Sequence, residues 1–176
     1  MSFDFKIYND KKLKGVKIIE NSFFEDKRGY LYTNFNQKIR NRILKKKFNN
    51  IDDKIVYRKK NSLTGIHGDN KTWKVISCLS GKIELVLVNC KKNSKNFGKH
   101  TKFNLKDKDF KSILVPPFTG NSYLCISKTA IISYKFFYNG KYNDFNNQFT
   151  YSWKDKRFNI NWSIKKKLIL SERDDI

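Results

Sequence analysis

The chain has 176 residues, enough to bury a core in a single domain without disulfide staples, and no run approaches the roughly 20 apolar residues that a bilayer-spanning helix needs. Hydrophobic residues make up 39% and aromatics 15%, with Phe and Tyr far ahead of Met, a balance that favours pleated, half-buried surfaces over helices. The formal net charge of +22 raises nucleic acid as a partner, but the lysines run from Lys6 to Lys167 without a stripe or a recognisable nucleic-acid motif. Nucleic acid is therefore disfavoured, base-composition bias explains the excess of lysine and asparagine, and the positive field is left to attract smaller anions such as a diphosphate.

The start, Met1-Ser2-Phe3-Asp4-Phe5, lacks a basic segment followed by an apolar one, so a cytoplasmic location with no membrane partner is expected. A short strand over Val16 to Ile19 precedes a polar turn at Glu25-Asp26-Lys27-Arg28-Gly29 and an aromatic run from Tyr30 to Phe35. The segment Gln37 to Lys47 places Ile39, Ile43 and Leu44 near helical spacing among basic residues and predicts one short surface helix. From Ile55 onward short apolar runs recur between turn signals: Trp73 to Leu79, Ser80-Gly81, Ile83 to Cys90, Phe103 to Leu105, Ser112 to Val115, Pro116-Pro117, Ser122 to Ile126 and Ala130 to Tyr138. That cadence, with no intervening helices, predicts an all-β sandwich or barrel. His100 falls in the polar stretch after Gly98 and is expected to be exposed, while Trp153 and Trp162 are expected to pack over the barrel.

Cys78, Cys90 and Cys125 are odd in number, far apart and flanked by apolar residues, the pattern of small buried hydrophobes. No C-x-x-C pair exists and there are only two histidines, so neither a disulfide nor a metal site is expected. Strand periodicity puts Ile132, Tyr134 and Phe136 on one face of their run, and Lys74 on the same face as Ile76 and Cys78. A lysine directed into a core needs a partner or a task.

The ordered motifs Glu25-Asp26-Lys27-Arg28-Gly29-Tyr30, Leu63-Thr64-Gly65-Ile66-His67, Lys74-Val75, Val115-Pro116-Pro117, Ala130 through Lys135, Trp153-Lys154-Asp155 and Leu170-Ser171-Glu172-Arg173-Asp174 resemble the dTDP-4-dehydrorhamnose 3,5-epimerase family. The family consists of metal-free cupins, and the likeness spans nearly the whole chain. It implies a single jelly-roll β-barrel domain over residues 1–176 with a few short helices, no cofactor, a homodimer, and a nucleotide-diphosphate sugar as substrate. Within the family, Gly65-Ile66-His67-Gly68-Asp69, Gly120-Asn121-Ser122 and Gln148-Phe149-Thr150-Tyr151 look closer to the branch acting on GDP-linked 4-keto-6-deoxy-heptoses for surface polysaccharides, so either a dTDP- or a GDP-linked sugar is left open.

A 4-keto group acidifies the hydrogens on C3 and C5, so epimerisation needs a base on one face of the ring, a proton donor on the other and a cation at the enolate oxygen. Taken alone, His67 would be a satisfied structural histidine and Tyr134 a core phenol. The resemblance instead implies His67 as base, Asp174 as its orienting carboxylate, Tyr134 as acid with help from Lys74, and Lys74 as the cation at the enolate oxygen. Arg28 would bind the diphosphate, and Asn121, Asp69 and Tyr138 are further expected substrate contacts. Thr64 stands where most of the family carries an arginine, and Arg58, Lys59 or Lys60 could compensate. Alternatives are a C3-only epimerase, a 3,4-ketoisomerase, whose motif usually holds more than one histidine, and a non-catalytic basic module binding carbohydrate or nucleic acid.

Overall fold

A computed structural model describes residues 4–164 and 166–175; Met1, Ser2, Phe3, Lys165 and Ile176 lie outside the described residues. In chain order the strands are β1 (Phe5–Asn9), β2 (Lys17–Asn21), β3 (Phe23–Asp26) and β4 (Gly29–Tyr32), then helix α1 (Gln37–Ile43) and β5 (Asn50–Lys59). They continue with β6 (Ile66–Gly68), β7 (Trp73–Ser80), β8 (Lys82–Asn89), β9 (His100–Lys106), β10 (Lys111–Val115), β11 (Thr119–Cys125), β12 (Thr129–Tyr138) and β13 (Phe149–Tyr151). A six-stranded sheet runs β1-β2-β10-β7-β12-β5, a five-stranded sheet runs β13-β6-β11-β8-β9, and β3-β4 form a separate hairpin. Neighbouring strands pair antiparallel throughout these sheets.

The two large sheets face each other across one core. Ile76, Cys78, Ile113, Val115 and Ile132 of the six-stranded sheet meet Ile83, Leu85, Leu87, Leu105 and Tyr123 of the other. Each fully buried Ile, Leu or Val contributes roughly 1.5–3 kcal/mol relative to exposure. β7 and β8 are apolar on both faces because each is covered twice: Val75 of β7 joins Phe137 of the neighbouring β12 in a second cluster beneath α1, and Val86 and Val88 of β8 face a third beneath Phe158. The strand cadence predicts an all-β sandwich or barrel and the family resemblance a jelly roll; both agree with this two-layer barrel, in which Cys78, Cys90 and Cys125 are buried free thiols.

The helix stops earlier than its predicted end at Lys47. Asn36 caps it by accepting from the Ile39 N–H at 2.8 Å, and Ile39 and Ile43 anchor it to the sheet. The next position on that face is a lysine, so Leu44 turns extended and enters the same apolar cluster instead. His100 also departs from expectation: it opens β9 opposite Val88, half-buried, and burial lowers its pKa. Trp162 packs on the outer cluster and its indole N–H donates to the Trp153 carbonyl at 3.0 Å, while Trp153 sits half-buried beside it. Among the described residues no helix is long and apolar enough to cross a membrane.

Candidate active site

At one end of the barrel the inward faces of both sheets leave a cavity of about 200 Å³. His67 and Asn121 enter it from β6 and β11 of the five-stranded sheet, Lys74 and Tyr134 from β7 and β12 of the other. The register puts Asn121 directly opposite His67, and Thr150 opposite it on the other side. Gly120 permits this approach, because a side chain there would begin 2.4 Å from Ile66 Cγ2 and 2.9 Å from Cys90 Sγ.

The histidine is held at both nitrogens. Nε2 lies 2.7 Å from Asp174 Oδ1 and Nδ1 lies 3.1 Å from Thr150 Oγ1. A carboxylate only accepts, so Nε2 carries the proton and Nδ1 is the basic nitrogen. Arg173 donates to Thr150 Oγ1 at 2.7 Å, which leaves the threonine's own proton for Nδ1. A hydroxyl can turn from donor to acceptor, so Thr150 serves both the neutral ring and the imidazolium. Burial alone would raise the Asp174 carboxyl, but hydrogen bonds from His67 and from Ser171, at 2.8 Å, outweigh it and hold the group below the usual carboxylate value.

Gly65 makes room for this dyad. An alanine Cβ there would sit 2.7 Å from Asp174 Oδ1 and 3.2 Å from His67 Nε2, although the backbone φ is not left-handed and would accept alanine. Gly65→Ala should therefore displace the imidazole by several tenths of an ångström and lower turnover by up to about 100-fold, with the unfolding midpoint little changed. A wild-type rate in that variant would mean the dyad's placement does not matter.

Lys74 is buried and donates to Asn121 Oδ1 at 2.7 Å, with the His67 carbonyl at 3.5 Å. Burial pushes its ammonium down to about 8, against the pull of the Asp69 carboxylate. Tyr134 is buried too, and desolvation pushes its phenol well above the ordinary value; the Tyr123 phenol adds to that rise and the Arg58 guanidinium opposes it. Arg58 lies 5.9 Å from the centre of the Tyr123 ring, which neighbours that of Tyr134, while Lys74, which lines the same cavity, donates to Asn121.

Three expected substrate contacts are placed elsewhere. Asp69 is buried off the cavity, where Oδ1 accepts the N–H groups of Lys71 and Thr72 at 2.8 and 2.7 Å to close a turn. Tyr138 lies farther along β12, with its hydroxyl donating to Asp52 at 3.1 Å. Arg28 sits on the exposed β3–β4 hairpin, paired with Asp26 at 2.6 Å, and does not line its own chain's cavity. Of the residues offered in place of an arginine at Thr64, only Arg58 lines the cavity; Gln148, from the motif that precedes Thr150, joins it there, as do Lys54, Tyr123 and Tyr142, which carried no sequence signal of their own.

Residues 10–176 match the sequence model of the dTDP-4-dehydrorhamnose 3,5-epimerase family. The chain is 29% identical over 167 residues to the dTDP-4-dehydrorhamnose 3,5-epimerase of Escherichia coli, covering 93% of this chain and 89% of that one. It is 26% identical over 162 residues to the Salmonella typhimurium enzyme of the same name, covering 90% and 87%. Among solved structures it resembles a dTDP-6-deoxy-D-glucose-3,5-epimerase from Legionella pneumophila in complex with dTDP-4-keto-L-rhamnose, with TM-score 0.88, 24% identity and 97% and 90% of the two chains covered. It also resembles the dTDP-4-dehydrorhamnose 3,5-epimerase of Elizabethkingia anophelis, with TM-score 0.82, 28% identity and coverage of 97% and 93%.

Proposed function

Because this chain belongs to the dTDP-4-dehydrorhamnose 3,5-epimerase family, and so is an isomerase acting on nucleotide-linked 4-keto-6-deoxy sugars, we propose that His67 and Tyr134 work on opposite faces of the sugar ring. The observation that carries this reading is their geometry. An imidazole tied to a carboxylate and a phenol come from opposed sheets into one cavity that also holds a buried ammonium. His67 Nδ1 takes the proton from C3 or C5 next to the ketone, and Asp174 stabilises the imidazolium that results. The electron pair moves onto the C4 oxygen, where Lys74, fixed by Asn121, meets the developing charge. Tyr134 then delivers a proton to the same carbon from the other side, and the configuration inverts.

Lys54 lines the cavity and supplies a cation suited to the diphosphate of either a dTDP- or a GDP-linked sugar. Arg28 stands on its exposed hairpin and does not line its own chain's cavity, which supports a homodimer in which the hairpin of one copy completes the site of the other; the family's soluble enzymes support a cytoplasmic location. The resemblance of Gly120-Asn121-Ser122 to the heptose branch supports that branch as the finer assignment, with Asn121 lining the cavity.

Incubation in deuterated water with dTDP- and GDP-linked 4-keto-6-deoxy sugars, read by mass spectrometry, tests the proposal. Two deuterons per product molecule are expected. One deuteron would restrict the enzyme to C3, and none with any such substrate would remove the catalytic reading.

A further inference from the structure

Delivering a proton from Tyr134 has a consequence that the base, its carboxylate and Lys74 do not meet. The phenol O–H bond breaks, the hydrogen and the enolate's C=C electron pair form the new C–H bond, the C4 carbonyl is restored, and a tyrosinate remains. That anion forms at a side chain only 7% exposed, where desolvation opposes it. A countercharge must lie within reach until solvent returns the proton.

Lys74 is engaged by Asn121 Oδ1, and its ammonium lies over the Phe136 ring at 6.0 Å; Lys54 lies over the rings of Phe136 and Tyr142 at 5.2 and 4.2 Å. Arg58 is placed differently. Its guanidinium carbon sits 5.9 Å from the centre of the Tyr123 ring, and the Tyr123 ring sits 6.4 Å from that of Tyr134. All three side chains line the cavity that holds His67. Arg58 forms no ion pair with a carboxylate among the described residues, and its 3.0 Å hydrogen bond to the Tyr57 carbonyl uses one of its five N–H donors. Thr64 holds the Tyr123 strand in place, because its Oγ1 accepts the Tyr123 N–H at 3.2 Å.

We propose that Arg58, acting through the Tyr123 phenol, is the positioning residue that stabilises the tyrosinate of Tyr134, so that it serves the reprotonation step rather than substrate binding. This rests on the epimerase reading above. The opposing effects on the two phenols are consistent with it: burial raises both, and the Arg58 cation lowers both.

The test separates the two half-reactions. In deuterated water, His67 can wash out the substrate hydrogen and return a deuteron to the same face, whereas inversion also needs Tyr134. Arg58→Gln should keep wash-out within about 3-fold of wild type while epimer formation falls about 10- to 100-fold, the part of a general acid's effect that depends on its countercharge. Tyr123→Phe should move the ratio in the same direction by less, and Arg58→Lys should restore part of it. Wash-out and inversion falling by one common factor in Arg58→Gln, or a rise in KM alone, would overturn the proposal and leave Arg58 as an anion-binding residue. A second measurement needs no substrate: in an ultraviolet titration of tyrosinate absorbance, Arg58→Gln should move the midpoints of Tyr123 and Tyr134 to higher pH, and an unchanged titration would overturn the coupling. A wild-type protein inert toward every 4-keto sugar nucleotide would defeat the epimerase reading, and this titration would then decide alone whether Arg58 acts on the phenol pair.

Discussion

His67→Asn should lose exchange at both carbons together, by about 100- to 10,000-fold, the range that a positioned general base supplies. The amide cannot take a carbon-bound proton, whereas the Nδ1 lone pair of His67 is available once Thr150 turns its hydroxyl aside. The fold should survive, because Asp174 keeps its bond from Ser171 and the histidine contributes little to the apolar core. Loss of one charge-assisted hydrogen bond costs about 1.5–3 kcal/mol, and Asn Nδ2 can recover part of it. The pH dependence carries a sign. Asp174 has a folded-state pKa below its ordinary value, so its stabilising contribution is complete above that ordinary value and disappears as pH falls through the depressed one. Without the histidine that depression shrinks, so the stability difference between wild type and variant should narrow under acid. Exchange at the wild-type rate in His67→Asn would transfer the role of base to another group.

How much of this was legible in the sequence depended on strand length. β7, β8 and β12 carry eight to ten residues each, long enough for apolar periodicity to mark their two faces, and so Lys74 and Tyr134 were readable as inward-pointing side chains. β6 and β13 have three residues each, too few to show a period. The strand that presents His67 was therefore visible only through its motif, and the Thr150 contact was not visible at all, because it depends on the β13–β6 register. Tyr123 escaped for a related reason, and Arg58 was legible only as one of three cations that could stand in at Thr64: each looks like an ordinary core phenol or surface cation until two sheets are brought face to face. Asp69 misled in the opposite direction. A carboxylate two and three residues before the N–H groups it accepts closes an Asx-type turn, and in sequence that is indistinguishable from a carboxylate aimed at a ligand.

Lys74→Met should separate activity from stability. Activity should fall about 100- to 1,000-fold, as when one preorganised donor to a developing oxyanion is removed. The ammonium is the useful form, and burial sets its pKa at about 8, so wild-type kcat/KM should decline as pH rises through about 8; the residual activity of the methionine variant should lack that limb. Stability follows the opposite logic. The lysine's folded pKa lies below its unfolded value of 10.5, so between about 8 and 10.5 the unfolded chain binds more protons and stability rises with pH. At neutral pH both states are protonated and the cost of burying the charge is fully present, up to about 3 kcal/mol at 1.36 kcal/mol per unit of pKa. Methionine removes that cost but leaves Asn121 Oδ1 without its donor, worth about 1 kcal/mol or more, and Asp69 without a nearby cation. The variant should thus unfold at the same temperature as wild type or slightly higher at pH 7, with any advantage vanishing above the ordinary lysine range. A markedly less stable variant at pH 7, or a basic limb that persists without the lysine, would show that the ammonium is kept for structure and not for the enolate.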